Sequence, residues 1–149
     1  MSWRTSHIET RVCAMEFDEV PSKQRPRYDV RRKHAYTPRK TASAEIEIGR
    51  AWTEECGLGM CGFEGEVRVT IAISRPLAKS NPKCWEGRAD LMKPDADNVA
   101  KIVCDSLNGI AYKDDCQITD LRVTYLPRVP HGGKCKVVVT VGYYEEESE

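Results

Sequence analysis

Lys93-Pro94-Asp95-Ala96-Asp97-Asn98-Val99-Ala100-Lys101-Ile102-Val103-Cys104-Asp105-Ser106-Leu107-Asn108-Gly109, followed by Tyr112-Lys113-Asp114-Asp115, reads as an amphipathic helix and a returning turn. At about 100° per residue, Val99, Ile102, Val103, Leu107 and Ile110 fall within one arc of the helical wheel. Asp97, Lys101 and Asp105 recur at four-residue spacing on the opposite arc. Pro94 suits a first helical turn, where its missing N–H costs nothing, and Asn108-Gly109 is a stop. The segment packs by one side and presents acids and a lysine on the other.

The flanking sequence supplies strands. Residues 66–74 alternate cleanly, with Val67, Val69, Ile71 and Ile73 inward and Arg68 and Thr70 outward. Residues 8–17 alternate as well, with Cys13, Met15 and Phe17 opposed to Val12 and Ala14. Residues 117–126 and 135–143 complete the set, and the turn residues Pro130-His131-Gly132-Gly133 predict a hairpin between them. Thr37 as N-cap and Pro38 at the first position start a second helix, which Ala44, Ile46, Ile48, Ala51 and Trp52 carry to about residue 56. The expected fold class is α+β: one domain over residues 1–149, a mainly antiparallel sheet of about four strands, and two helices over one face.

Charge is unevenly distributed. Lys+Arg and Asp+Glu are both 23, so the net charge is zero. Residues 21–40 nevertheless form a basic loop, with Lys23, Arg25, Arg27, Arg31, Arg32, Lys33, Arg39 and Lys40 against Asp29 alone. Residues 145–149 form an acidic tail. Cations so crowded repel one another without an anionic partner, which favours a phosphate-gripping arm over a merely solvated loop. Residues 75–92 carry Lys79, Lys83 and Arg88 beside Trp85, and two readings stand: a second DNA-facing loop, or packing of Trp85 on the domain.

Carboxylates gathered in one place raise each other's pKa unless a cation sits among them. Asp95 and Asp97, with Asp114 or Asp115 returning after the turn, are oxygen ligands of the type a hard divalent ion takes. Lys101, one turn after Asp97, is placed to meet a phosphate oxygen. The competing account is a solvated acidic face with an Asp97–Lys101 pair.

The motifs bear on that choice. Lys93 to Lys101, then Asp105-Ser106-Leu107-Asn108-Gly109, then Lys113-Asp114-Asp115-Cys116-Gln117-Ile118 resemble the signature of the RusA family of Holliday-junction resolvases. Upstream, Pro21-Ser22-Lys23-Gln24-Arg25-Pro26-Arg27 and Tyr36-Thr37-Pro38-Arg39-Lys40-Thr41 match too, so the resemblance runs in order over about residues 12–127. It implies a bacterial or phage-encoded, cytoplasmic endonuclease dependent on Mg²⁺ or Mn²⁺, a homodimer that nicks four-way junctions in recombination and repair. Asp95, Asp97, Lys101 and Asp115 would be catalytic. Asp95, Asp97 and Asp115 would hold metal, with Asp114 and Asp105 as further candidates. Lys23, Arg25, Arg27, Arg39, Lys40 and Lys101 would bind DNA. The alternatives are a branched-DNA-binding protein without cleavage and a phosphohydrolase of small nucleotides.

Other classes are excluded by the sequence. The start lacks an apolar signal region, and no stretch approaches a membrane span. Seven scattered cysteines are expected as buried, reduced thiols, with no second pair beside Cys56 and Cys61 to complete a zinc site. The three histidines lie far apart, and no hydrolase elbow, Walker loop or dinucleotide fingerprint is present.

Overall fold

A computed structural model gives the structure of residues 3–36 and 38–148. In chain order the elements are β1 (Trp3–Phe17), β2 (Arg27–Asp29), β3 (His34–Tyr36), α1 (Arg39–Cys56), β4 (Glu66–Ser74), α2 (Ala96–Ser106), β5 (Ile118–Tyr125) and β6 (Cys135–Ser148). The long strands make one sheet in the order β1-β6-β4-β5, and β2 and β3 make a separate small one. Two of the large sheet's three pairings, β1–β6 and β6–β4, are antiparallel, whereas β4–β5 is parallel. This is the expected α+β class, in a single domain.

The period-two pattern decides which face is covered. Cys13, Met15 and Phe17 of β1, Val67 to Ile73 at alternate positions of β4, and Val137, Val139 and Val141 of β6 are buried. They join Ile48 and Trp52 of α1 and Val99, Ile102 and Val103 of α2 in one core. Val12, Ala14, Arg68 and Thr70 lie exposed on the other face, so both helices cover the same side. Ile46, expected to help carry α1, is mostly exposed.

Several local expectations are corrected. The predicted hairpin between β5 and β6 does not form, because β4 lies between them. Residues 126–134 instead cross the end of β4, where Leu126 N–H donates to Ile73 O at 2.8 Å and Leu77 N–H to Val129 O at 3.0 Å. Burial on the inward face and half-burial of Val138 and Thr140 on the other suit β6 to a place between two strands. Glu145, Glu146 and Glu147, read as a tail, pair in β6 with Ser6, Thr5 and Arg4 of β1. The basic stretch contains the β2–β3 hairpin, whose tip is tied by Asp29 Oδ1 accepting from the N–H groups of Arg31 and Arg32 at 2.9 and 3.2 Å. Thr37 lies outside the described residues, and Pro38 is the residue before α1. Pro94 precedes α2 rather than occupying its first turn. All seven cysteines are free, but Cys61, Cys84 and Cys116 are exposed and Cys56 is intermediate, so only three fit the buried reading.

α2 ends where the sequence indicated. Gly109 has φ 72°, a left-handed conformation that glycine adopts without strain. The carbonyl of Cys104, in the last turn, accepts the hydroxyl of fully buried Tyr112 at 2.7 Å. Tyr112→Phe keeps the ring and removes the donor to a buried carbonyl. It should lower unfolding stability by about 1–3 kcal/mol, measured by urea titration with the slope unchanged.

Candidate active site

β4 and β5 are parallel neighbours, so the chain between them must cross over, and α2 makes most of that crossing. Its apolar arc, Val99, Ile102, Val103 and Leu107, is buried, while Asp97, Lys101 and Asp105 are exposed, as the wheel predicts. Asp95 occupies the N-cap position, and its side chain makes no cap hydrogen bond. The crossover returns through a 3₁₀ turn, Asp115–Gln117, directly into β5. Gln117 fixes that turn: its Oε1 accepts Asp114 N–H at 2.7 Å, and its Nε2 donates to Phe63 O and Gly65 O at 2.7 and 2.8 Å.

This geometry opens a groove of about 660 Å³ between α2 and β5. Asp97, Lys101, Asp105 and Asp115 line its polar side, and Ala100, Leu121 and Val123 contribute apolar wall. Four of the residues singled out in the sequence are thus brought to one place. Asp95 lines a neighbouring depression with Lys23, Arg75 and Lys93. Asp114 is exposed at the head of the 3₁₀ turn.

Within the groove the acids press on one another. Burial lifts the Asp115 carboxyl above the ordinary aspartate range, and the neighbouring Asp114 and Asp105 carboxylates lift it further. Asp114 is held below that range, chiefly by hydrogen bonding to Cys116 and Asp115. The Cys104 thiol is pushed up to about 11, first by burial and then by Asp115, so it stays neutral. Lys101 Nζ stands 3.8 Å from Asp97 Oδ2, an exposed pair. Among the described residues, no three His, Cys, Asp or Glu side chains are arranged closely enough to hold a metal ion as they stand. The donor set still suits a hard divalent cation, since all its members are carboxylates and Asp115 is crowded by like charge.

The cations divide into two groups. Lys23 is engaged within the protein, with Nζ 2.8 Å from Glu45 and 3.3 Å from Asp105, and its backbone N–H donates to Asn98 O at 3.1 Å. Glu45, then Asp105, hold the ammonium above the usual lysine range. Lys40 pairs with Glu19. Arg25, Arg27 and Arg39 are exposed, with no ion pair to a described residue. The Lys23–Asp105 link joins residues too far apart in sequence to signal it.

Also unsignalled is the hold on residues 92–94, the lead into Asp95. Arg75 donates to Met92 O and Lys93 O at 3.0 and 2.7 Å, and Tyr125 donates to Pro94 O at 2.7 Å.

A mixed sheet with an acidic crossover helix and a lysine among the acids defines a class, and comparison supplies it. The family model described as endodeoxyribonuclease RusA matches residues 18–142. The chain belongs to the RusA endodeoxyribonuclease family, whose members are DNA-cleaving hydrolases. It is also similar to the uncharacterized protein YqaN of Bacillus subtilis (strain 168), 40% identical over 68 residues, which cover 40% of this chain and 48% of YqaN. The chain thus spans about half the length of that relative. No helix among the described residues is long and apolar enough to cross a membrane.

The raised Asp115 carboxyl has a consequence for stability. The folded state disfavours its charge, so ionised Asp115 costs stability at neutral pH. Below the unfolded aspartate range the group is protonated in both states and that cost disappears. Asp115→Asn should therefore raise the melting temperature in chelator at pH 7, and the gain should vanish below about pH 3. Thermal melts across that window check it, and a lower melting temperature at pH 7 would contradict the crowding argument.

Proposed function

We propose that the protein is a divalent-metal-dependent endonuclease that resolves four-way DNA junctions, acting as a homodimer that nicks paired strands. The observation that carries the reading is the gathering of Asp97, Lys101, Asp105 and Asp115 in one open groove. Membership of an endodeoxyribonuclease family supports the phosphodiester as the bond cleaved.

Asp97, Asp105 and Asp115 would hold a Mg²⁺ or Mn²⁺ ion from the groove, and Asp95 would join them from the helix start. Asp114 stands at the rim. Such an ion, when bound, polarises the scissile phosphate and lowers the pKa of a coordinated water. Lys101, exposed beside Asp97, would bring a positive charge to the phosphate oxygens as charge builds on them. Asp115 would serve as a ligand in its ionised form, and a cation beside it would offset the like-charge crowding that raises its carboxyl. Arg25, Arg27 and Arg39 would grip the DNA backbone, and Lys23 would hold the arm's base against α1 and α2. A two-fold dimer suits a symmetric junction, because each site then meets an equivalent strand.

Incubation with a synthetic four-way junction and a linear duplex, with and without Mg²⁺, tests the reading. Cleavage is expected on the junction with metal only; equal cutting of the duplex would remove structure selectivity. Asp97→Asn should lower cleavage by orders of magnitude while junction binding in Ca²⁺ persists. Lys101→Ala should cut the single-turnover rate at saturating Mg²⁺ by about 10²–10³. A rate within about threefold of wild type would reduce Lys101 to a surface ion-pair residue, worth a few tenths of a kcal/mol.

The arm gives a separate expectation. Arg25→Ala with Arg27→Ala should flatten the salt dependence of binding, by roughly 0.9 in log–log slope for each phosphate the arm no longer neutralises. Lys23→Ala should leave that slope near wild type, because its ammonium already serves Glu45 and Asp105. Filter binding over a salt series distinguishes the two.

A further inference from the structure

Residues 75–92 contain a buried ionic network that ends on the backbone leading into the acids. Arg75 directly follows β4, and its Nε and Nη2 donate to the two oxygens of Asp90 at 2.9 and 2.7 Å. The Asp90 side chain is wholly buried. The same guanidinium also reaches two carbonyls: Nη1 donates to Lys93 O at 2.7 Å and Nη2 to Met92 O at 3.0 Å. It stands 5.3 Å from the ring centroid of Tyr125, the last residue of β5. The Tyr125 hydroxyl donates to the next carbonyl, Pro94 O, at 2.7 Å. Three successive carbonyls are thereby held, and the following residue is Asp95.

The register gives this hold its meaning. Tyr125 pairs with Ile73 across the parallel ladder, two residues before Arg75. β5 begins immediately after the turn that carries Asp115 and ends at Tyr125. One strand therefore fixes Asp115 at its start and the lead into Asp95 and Asp97 at its end.

Bulk stability is a poor account of such a network. A buried ion pair is often matched or bettered by apolar residues of similar volume, because desolvation offsets the attraction. Here one arginine satisfies a carboxylate and two carbonyls together, a task that needs the planar fork. A second cation, Arg128, lies 3.9 Å from Asp90 and serves the far side of the loop, donating to Pro76 O and Asn81 Oδ1 at 3.1 Å each. Its Nε is buried without a hydrogen-bond partner, so that side is the less satisfied of the two.

We infer that Arg75 and Tyr125 are positioning residues of the site: they hold the backbone at 92–94 and so set Asp95 and Asp97 relative to Asp115. The inference rests on the nuclease reading above. Arg75→Lys keeps the charge and loses the fork, and Tyr125→Phe removes a single hydroxyl. Asn81→Ala loosens the same loop without touching the three carbonyls.

Three measurements test it on the full chain: single-turnover cleavage of a four-way junction over a Mg²⁺ series, melting temperature, and amide hydrogen exchange of residues 95–98. Both positioning variants are expected to slow cleavage about tenfold to a hundredfold, the scale set by small misplacements of reacting groups. They should also shift half-saturation to higher Mg²⁺ and speed exchange at 95–98. Asn81→Ala should lower the melting temperature while cleavage stays within twofold of wild type. The inference is overturned if Tyr125→Phe cleaves within twofold of wild type, or if Asn81→Ala slows cleavage as much at equal loss of stability. Should Arg75→Lys fail to fold, Tyr125→Phe decides. A wild-type chain that cleaves no DNA would sink the nuclease reading instead, and unaltered exchange at 95–98 would then overturn the hold by itself.

Discussion

A parallel pair of neighbouring strands cannot be joined by a tight turn. β4 and β5 are such a pair, and the chain between them has to leave one end of the sheet and return to the other. α2 makes that passage and buries Val99, Ile102, Val103 and Leu107 on the way. Its polar side is then obliged to lie beside β5, the edge strand, where the returning turn delivers Asp115. The acid groove is a by-product of this crossing. Without the parallel pair, Asp97 and Asp115 would have no reason to meet.

Zero net charge hides a sorted surface. Carboxylates line the groove and cations crowd the hairpin arm, and ion pairs engage some of each. Lys23, between Glu45 and Asp105, links the arm to the groove, and Lys40 pairs with Glu19. A polyanion meeting this protein would find exposed arginines at 25, 27 and 39 and exposed carboxylates at 97 and 105. A bound cation would reconcile those carboxylates with a phosphate. Balanced composition is therefore no argument against a DNA partner when the balance is spatially divided.

Much of this was legible in the chain. Period-two runs located the long strands, and the helical wheel named the exposed acids of α2 correctly, because both signals are local and repeat along the segment. Pairing order was not legible. Pro130-His131-Gly132-Gly133 has hairpin chemistry, yet a nine-residue connection, 126–134, is also long enough to pass a strand. The basic run advertised cations but not their partners: Lys23 reads like Arg25, although one is half-buried between acids and the other faces solvent. Arg75 and Tyr125 sit in ordinary strand-end contexts, and only the fold brings them to the carbonyls before Asp95. Interactions across long sequence separations leave no periodic trace.

β6 lies between β1 and β4, although among the described strands it comes last along the chain and β1 first. While the polypeptide emerges from the ribosome, β4, α2 and β5 have their mutual partners within one compact stretch. β1 can pack on α1 but has no strand partner there, since every residue of its ladder pairs with β6. Cys13, Met15 and Phe17 must wait, uncovered on their strand side, until residues 135–148 are released. Closing that ladder spans nearly the whole chain, the kind of distant pairing that slows folding. Until residues 135–148 join it, β1 presents an unpaired strand edge, the kind of surface that invites pairing with another chain.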